Sequence, residues 1–130
     1  MSYSNKALKQ YQSVDVSSAV SSASPHKLVA MLFDGALTAL ARAKGMVERD
    51  DIEGRTKQIN KVCEIIVGLK GSLDLEQGGE VAANLDRLYD YILGRMLIAN
   101  RDGDTEVLGE VSTLINELKS GWDQMPEDIK

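Results

Sequence analysis

Apolar residues recur at helical spacing along most of this chain, in four separate stretches. The spacing within each stretch places the apolar side chains on one face of a helix, and in the second stretch the steps alternate between three and four residues. In chain order, the faces comprise Leu28, Met31, Leu32, Ala36, Ala39, Leu40, Ala43 and Val47; Ile59, Val62, Ile66, Leu69 and Leu73; Val81, Leu85, Leu88, Ile92, Met96 and Ala99; and Val107, Val111, Leu114, Ile115, Leu118, Trp122 and Met125. The pattern predicts four amphipathic helices.

Polar and glycine-containing stretches predict where these helices begin and end. Ser24 is a suitable N-cap, and Pro25 occupies the first helical position, where its missing N–H has no cost. The helices are separated by residues 50–54, 76–79 and 100–104, with Asp104 or Thr105 capping the fourth helix. Because such short links force neighbouring helices to run antiparallel, the sequence predicts an all-α, up-down-up-down four-helix bundle over residues 25–126.

Residues 1–24 differ from the rest because they are rich in Ser, which competes for backbone hydrogen bonds and weakens helix formation. We expect this stretch to be a flexible N-terminal arm with at most one short helix. Its apolar residues Tyr11, Val14 and Val16 are suited to docking in a groove of the bundle when no partner is bound.

The second and third helices carry more apolar surface than one core face needs. The additional residues are Ile65 and Val67 in the second helix, and Tyr89, Leu93, Leu97, Tyr91 and Ile98 in the third. Two interpretations remain open. Either the third helix is deeply buried and the chain dimerises weakly, or the bundle presents a hydrophobic groove for an amphipathic partner helix.

Composition narrows the possible partners. At 130 residues the chain fits one domain, and its formal charge of −5 argues against binding a nucleic-acid backbone. No apolar run reaches the ~20 residues of a membrane span, so no membrane insertion is expected. The N-terminal residues lack the apolar core of a signal peptide, which predicts a cytoplasmic protein.

No arrangement typical of a catalytic, cofactor-binding or metal site is found. The one histidine, His26, lies at a helix start and is followed one turn later by Ala30, whereas a phosphotransfer domain needs an exposed mid-helix histidine usually followed by Gly. We therefore expect His26 to be solvated and Cys63 to pack in the core. Without a Glu-x-x-His pair, a phosphate loop or zinc spacing, the chain is not expected to be an enzyme or to use a cofactor.

Several motifs carry a resemblance to a known family. They are ASPHKLVAMLFDGAL at residues 23–37, INKV at 59–62, LDLEQGGEVAANL at 73–85, LYDYI at 88–92, the pair at 99–100, Trp122, and Tyr11 followed by Val14. These motifs occur in the order and with the gaps of the FliS family, the flagellin-specific export chaperones. The chain therefore resembles this family from residue 11 to residue 125. Phe33 departs from the family, which more often has Tyr there.

The resemblance implies a cytosolic chaperone that binds the C-terminal helical segment of flagellin, prevents premature polymerisation and delivers it to the flagellar type III export gate. It implies no nucleotide or metal, and an arm that covers part of the cargo surface in the free state. It leaves open whether a regulatory protein, such as an anti-sigma factor, also binds.

Within this resemblance, we expect six residues to contact cargo from the arm and from the outer apolar surfaces: Tyr11, Val14, Ile65, Tyr89, Leu93 and Leu97. Each of them also fits a place in the core. Asp34 and Asn60 are expected to form hydrogen bonds between helices. The competing functions are a phosphotransfer bundle acting through His26, and a structural helical subunit that assembles through the same groove.

Overall fold

The four predicted helices are present. A computed structural model of the protein describes residues 24–124, in which the helices are α1 (Pro25–Glu48), α2 (Ile52–Gly71), α3 (Gly79–Asp102) and α4 (Thr105–Gln124). The described residues contain no strand, so the prediction of an all-α fold is confirmed. Most of the predicted arm, with Tyr11 and Val14, lies outside the described residues, as does Met125.

Local side-chain hydrogen bonds fix where the helices begin. The Ser24 hydroxyl accepts a hydrogen bond from the Lys27 amide at 3.2 Å, as expected for an N-cap. The Asp104 carboxylate accepts from two backbone amides in the first turn of α4, so Asp104 rather than Thr105 caps this helix. Asp51 caps α2 by accepting from the Gly54 amide at 2.9 Å. Gly54 therefore lies inside the first turn of α2, and the first link is shorter than predicted.

The helices form a closed antiparallel arrangement. The links span only residues 49–51, 72–78 and 103–104, and each helix packs mainly against two others, with α1 and α3 both lying between α2 and α4. Asp34 of α1 pairs with Lys119 of α4 at 2.7 Å, which confirms its expected interhelix role. Asn60 is exposed, and its side chain makes no hydrogen bond within residues 24–124, so the same expectation was wrong for Asn60.

The core is wider on each helix than the predicted faces. Phe33, Ile65, Tyr89 and Leu108 are all buried although the predicted core faces omit them. Each helix touches two neighbours, so its buried stripe must be wider than a single seam. The placement of Ile65 and Tyr89 on outer surfaces was therefore wrong. The exposed fraction is only 5% for Ile65 and 4% for Tyr89.

Val81 is the opposite case, because it was assigned to the core face of α3 and is 68% exposed. It lines a cavity at the start of α3 and is not covered by another helix. The assignment of Val81 to the core was therefore wrong.

Polar contacts hold the end of the bundle where α2 begins and α3 ends. Arg55 donates to the Asn100 carbonyl at 2.7 Å, and the Thr56 hydroxyl donates to the Asn100 side-chain oxygen at 3.1 Å. Gly103 ends α3 in the left-handed conformation at φ 61°. A Cβ atom on Gly103 would lie 2.8 Å from the Arg55 guanidinium, so glycine also permits this close approach.

Candidate functional site

A cavity of about 680 Å³ opens at the opposite end of the bundle. Its walls come from the start of α1, the end of α2, the α2–α3 link, the first turns of α3 and the last turns of α4. The lining is mainly apolar and includes Val29, Phe33, Val81, Leu85, Leu118 and Trp122. We call this feature the end groove. Its volume accommodates several large apolar side chains of a guest.

The α2–α3 link is compact and leaves the end groove open. One Asp74 carboxylate oxygen accepts from the Glu76 and Gln77 amides, and the Asp74 carbonyl accepts from the Gly78 amide at 2.8 Å. A Cβ atom on Gly78 would lie 2.5 Å from the Ala82 Cβ atom, so only glycine allows the link to pass this close to α3. The chain thus turns tightly where the link borders the groove.

His26 and Trp122 join the start of α1 to the end of α4 beside the end groove. Their rings stack with centroids 5.4 Å apart and planes inclined by 14°. The indole N–H of Trp122 donates to the His26 carbonyl at 2.8 Å. His26 is therefore half-buried and stacked, and the expectation of a solvated histidine was wrong. A ring held in this way at a helix start does not offer the exposed mid-helix imidazole of a phosphotransfer domain.

The outer faces of α2 and α3 carry further exposed apolar residues outside the end groove. Val67 is 53% exposed and Leu97 is 72% exposed, while Leu93 is half-buried against the core. Tyr91 is 47% exposed on another flank of α3, where its hydroxyl donates to Glu110 of α4 at 2.5 Å.

The four cargo-contact candidates among the described residues do not form one cluster. Tyr89 lies in the wall of the end groove, Leu93 and Leu97 lie on the surface of α3, and Ile65 lies in the core. Their contact with cargo, like that of Tyr11 and Val14, stays a prediction.

Sequence reasoning considered a groove at the outer apolar residues of α2 and α3 but did not locate the end groove, because Leu85, Leu118 and Trp122 were assigned to core faces. One signal was available in the sequence. Small residues occur at two of the helix ends that border the groove: Gly78, Gly79 and Ala82 around the start of α3, and Gly121 near the end of α4. Small side chains there leave space that the longer neighbours do not fill.

Burial raises the pKa of two ionisable groups, one in the groove wall and one elsewhere, on α2. Burial raises the pKa of the Tyr89 hydroxyl to about 12, so this group stays neutral at physiological pH. The half-buried Cys63 packs against the core, and its thiol pKa is raised by burial and then by the charge of Glu64, the reverse of what activates a thiol nucleophile. Residues 24–124 hold no group of three or more metal-ligating side chains, and none of their helices is long and apolar enough to cross a membrane.

Comparison with known proteins gives a consistent result over nearly the whole chain. The family described as "Flagellar protein FliS" matches residues 7–128. The chain is similar to the flagellar secretion chaperone FliSB of Pseudomonas aeruginosa, with 50% identity over 121 residues that cover 93% of this chain and 96% of that protein. It is also similar to the flagellar secretion chaperone FliS of Salmonella typhimurium, with 44% identity covering 95% and 92% of the two chains, and to that of Vibrio cholerae, with 38% identity covering 94% and 90%.

Proposed function

This chain belongs to the FliS family of flagellar secretion chaperones, and we propose that it binds the C-terminal helical segment of flagellin in the cytosol. Occupying that segment prevents premature polymerisation and keeps flagellin competent for type III export. The role is one of binding and release, without catalysis, nucleotide or metal. The observation that carries the proposal is the apolar end groove, which is open in a bundle whose other end is closed by polar contacts.

The end groove has the properties of a site for an amphipathic guest. Val81 is largely exposed at its edge, whereas Phe33 and Tyr89 are almost completely buried in its wall. A guest that covers Val81 and fills the space above Leu85 gains roughly 25 cal/mol for each Å² of apolar surface removed from water, before the entropy of ordering is subtracted. Phe33 and Tyr89 are already packed in the wall, and the guest supplies the side chains that fill the groove.

The arm is proposed as the alternative occupant of this groove in the free chaperone. It joins α1 at Ser24, two residues before His26, and His26 contacts the groove-lining Trp122. Tyr11 and Val14 are the arm residues that we expect to be displaced by cargo. The outer surface with Leu93 and Leu97 is proposed as a second contact for a guest long enough to leave the groove and continue along α3.

Two further partners belong to the proposal. After cargo is bound, we expect a component of the flagellar export gate to receive the complex, so that flagellin leaves and the chaperone remains. A regulatory protein, such as an anti-sigma factor, is a third class of partner that would compete with cargo if it used the same groove.

Calorimetric titration of the full chain with a peptide of the C-terminal segment of flagellin tests the proposal. We expect saturable binding with a negative heat-capacity change, because apolar surface is buried. Val81→Asp should weaken binding about tenfold or more, since it puts a charge where the guest packs. The fold should tolerate this change, because an acid in the first turn of a helix interacts favourably with the helix dipole.

Ile52→Asp is the matched control. Ile52 is 64% exposed and lies in the first turn of α2, at the opposite end of the bundle. The substitution again replaces an exposed apolar residue with an acid. It should leave affinity unchanged. If Leu97→Asp weakens binding and Val81→Asp does not, the principal site lies on the outer face of α3. If neither the wild-type protein nor any variant binds the peptide, the proposed cargo is wrong.

A further inference from the structure

The end groove combines an apolar interior with carboxylates at its edge. Asp74 in the α2–α3 link and Glu117 on α4 both line it, and both are exposed. Glu76 and Glu80, in the link and in the first turn of α3, are exposed close to the same edge. Among the described residues that line the groove there is no Lys or Arg.

Two lysines on the adjoining helices pair with carboxylates that do not line the groove. Lys70 pairs with Asp86 at 2.9 Å and with Asp90 at 3.5 Å, and Lys119 pairs with Asp34 at 2.7 Å. These pairs hold the two ammonium groups on the carboxylates of α3 and α1, which do not line the groove.

The two groove carboxylates keep acceptor capacity for a guest. Glu117 makes no ion pair with any residue in the range 24–124. Asp74 uses one oxygen for the link amides of Glu76 and Gln77, and its second oxygen is available. Both groups are therefore placed to accept hydrogen bonds from a cation beside the groove.

We infer that the end groove selects an apolar guest segment that is flanked by Lys or Arg residues. The inference rests on the proposed function and adds a charge requirement to it. Apolar side chains of the guest fill the groove, while its flanking cations pair with Glu117 and Asp74. A guest with acidic flanks would place like charges beside these carboxylates, and the groove thereby discriminates against it.

The exposure of the two carboxylates limits how much the ion pairs can add to the affinity for a guest. Solvent-exposed ion pairs typically strengthen binding by roughly two- to fivefold each, and added salt screens them. The apolar interior therefore supplies most of the affinity, and the carboxylates supply selectivity between guests of similar hydrophobicity.

The test uses the full chain and three versions of the flagellin C-terminal peptide: unmodified, with two added Lys residues at each end, and with two added Glu residues at each end. Titration calorimetry compares their affinities at low ionic strength and at about 0.5 M salt. We expect the Lys-flanked peptide to bind roughly tenfold more tightly than the Glu-flanked peptide at low salt, and the difference to shrink at high salt.

Charge-neutral variants then locate the preference. Glu117→Gln combined with Asp74→Asn should abolish most of it, and Asn retains the oxygen that accepts from the amides of the link. Glu64→Gln is the matched control, because Glu64 is an exposed carboxylate on α2 that does not line the groove. The control removes one charge from the same protein and should leave the preference intact.

The outcomes distinguish failure of the charge requirement from failure of the proposed function. Equal affinity for the Lys- and Glu-flanked peptides, or a preference that survives the combined Glu117 and Asp74 variant, overturns the charge requirement and leaves the chaperone proposal standing. Failure of all three peptides to bind overturns the proposed function itself.

Discussion

The indole of Trp122 and the imidazole of His26 stack 5.4 Å apart, although 96 residues separate them in the chain. The hydrogen bond from the indole N–H to the His26 carbonyl links the last turns of α4 to the first turn of α1. Trp122 also lines the end groove. Trp122 therefore both joins α4 to α1 and shapes the surface proposed to receive cargo.

Trp122→Phe should lower the free energy of unfolding by about 0.5–1.5 kcal/mol, because it removes the indole donor while retaining an aromatic ring. Urea unfolding followed by circular dichroism measures this change. His26→Ala is the complementary variant, since it removes the stacked ring and retains the carbonyl that accepts the hydrogen bond. If Trp122→Phe leaves stability unchanged, the hydrogen bond does not contribute to holding the bundle end.

Gly103→Ala should destabilise the fold by about 1–2 kcal/mol, because an L-residue at φ 61° is strained and its Cβ would meet the Arg55 guanidinium. Gly94→Ala should instead stabilise by up to about 1 kcal/mol, since Gly94 is exposed inside α3 and a Cβ there has nothing within 4 Å. Thermal unfolding of the two variants provides the comparison. Equal effects would contradict the conformational argument.

Glu110 should make stability depend on pH at the acid end. Hydrogen bonds donated by Tyr91 and then by Arg95 hold the pKa of the Glu110 carboxyl below its usual value of 4.5. Its stabilising contribution is thus present above that value and is lost as the pH falls through the lower folded-state pKa. The difference in urea midpoint between wild type and Glu110→Gln should be largest at neutral pH and should shrink on acidification below 4.5.

Glu64→Gln provides the reference for that experiment, because Glu64 is an exposed carboxylate of α2 that forms no hydrogen bond or ion pair within residues 24–124. Its difference from wild type should stay nearly constant over the same pH range. A Glu110→Gln difference that also stays constant would show that the contacts with Tyr91 and Arg95 do not stabilise the folded state.

Cys63 should react slowly with a thiol reagent at neutral pH. Burial raises the pKa of its thiol, and the charge of Glu64 raises it further, so the reactive thiolate is scarce in the folded protein. The measurement is the rate of reaction with a chromogenic disulfide, in native buffer and in denaturant. Equal rates in the two conditions would contradict protection by the fold.

The helices and the starting points of α1 and α4 were predictable because the signals for them are local. The caps at Ser24 and Asp104 use atoms only two or three residues away, and the apolar spacing defines which way each side chain points around its helix. The short links then left one plausible topology.

The candidate site needed the tertiary structure, because it depends on what stands opposite each side chain. Ile65 and Tyr89 were assigned to the surface and lie in the core, since each helix is covered by two neighbours. Val81 was assigned to the core and lines a groove, since small residues leave space at that end of the bundle. The sequence by itself determined the helices, their order and the family resemblance. Only the packing of residues distant in the chain decided that His26 meets Trp122 and that an open apolar groove remains beside them.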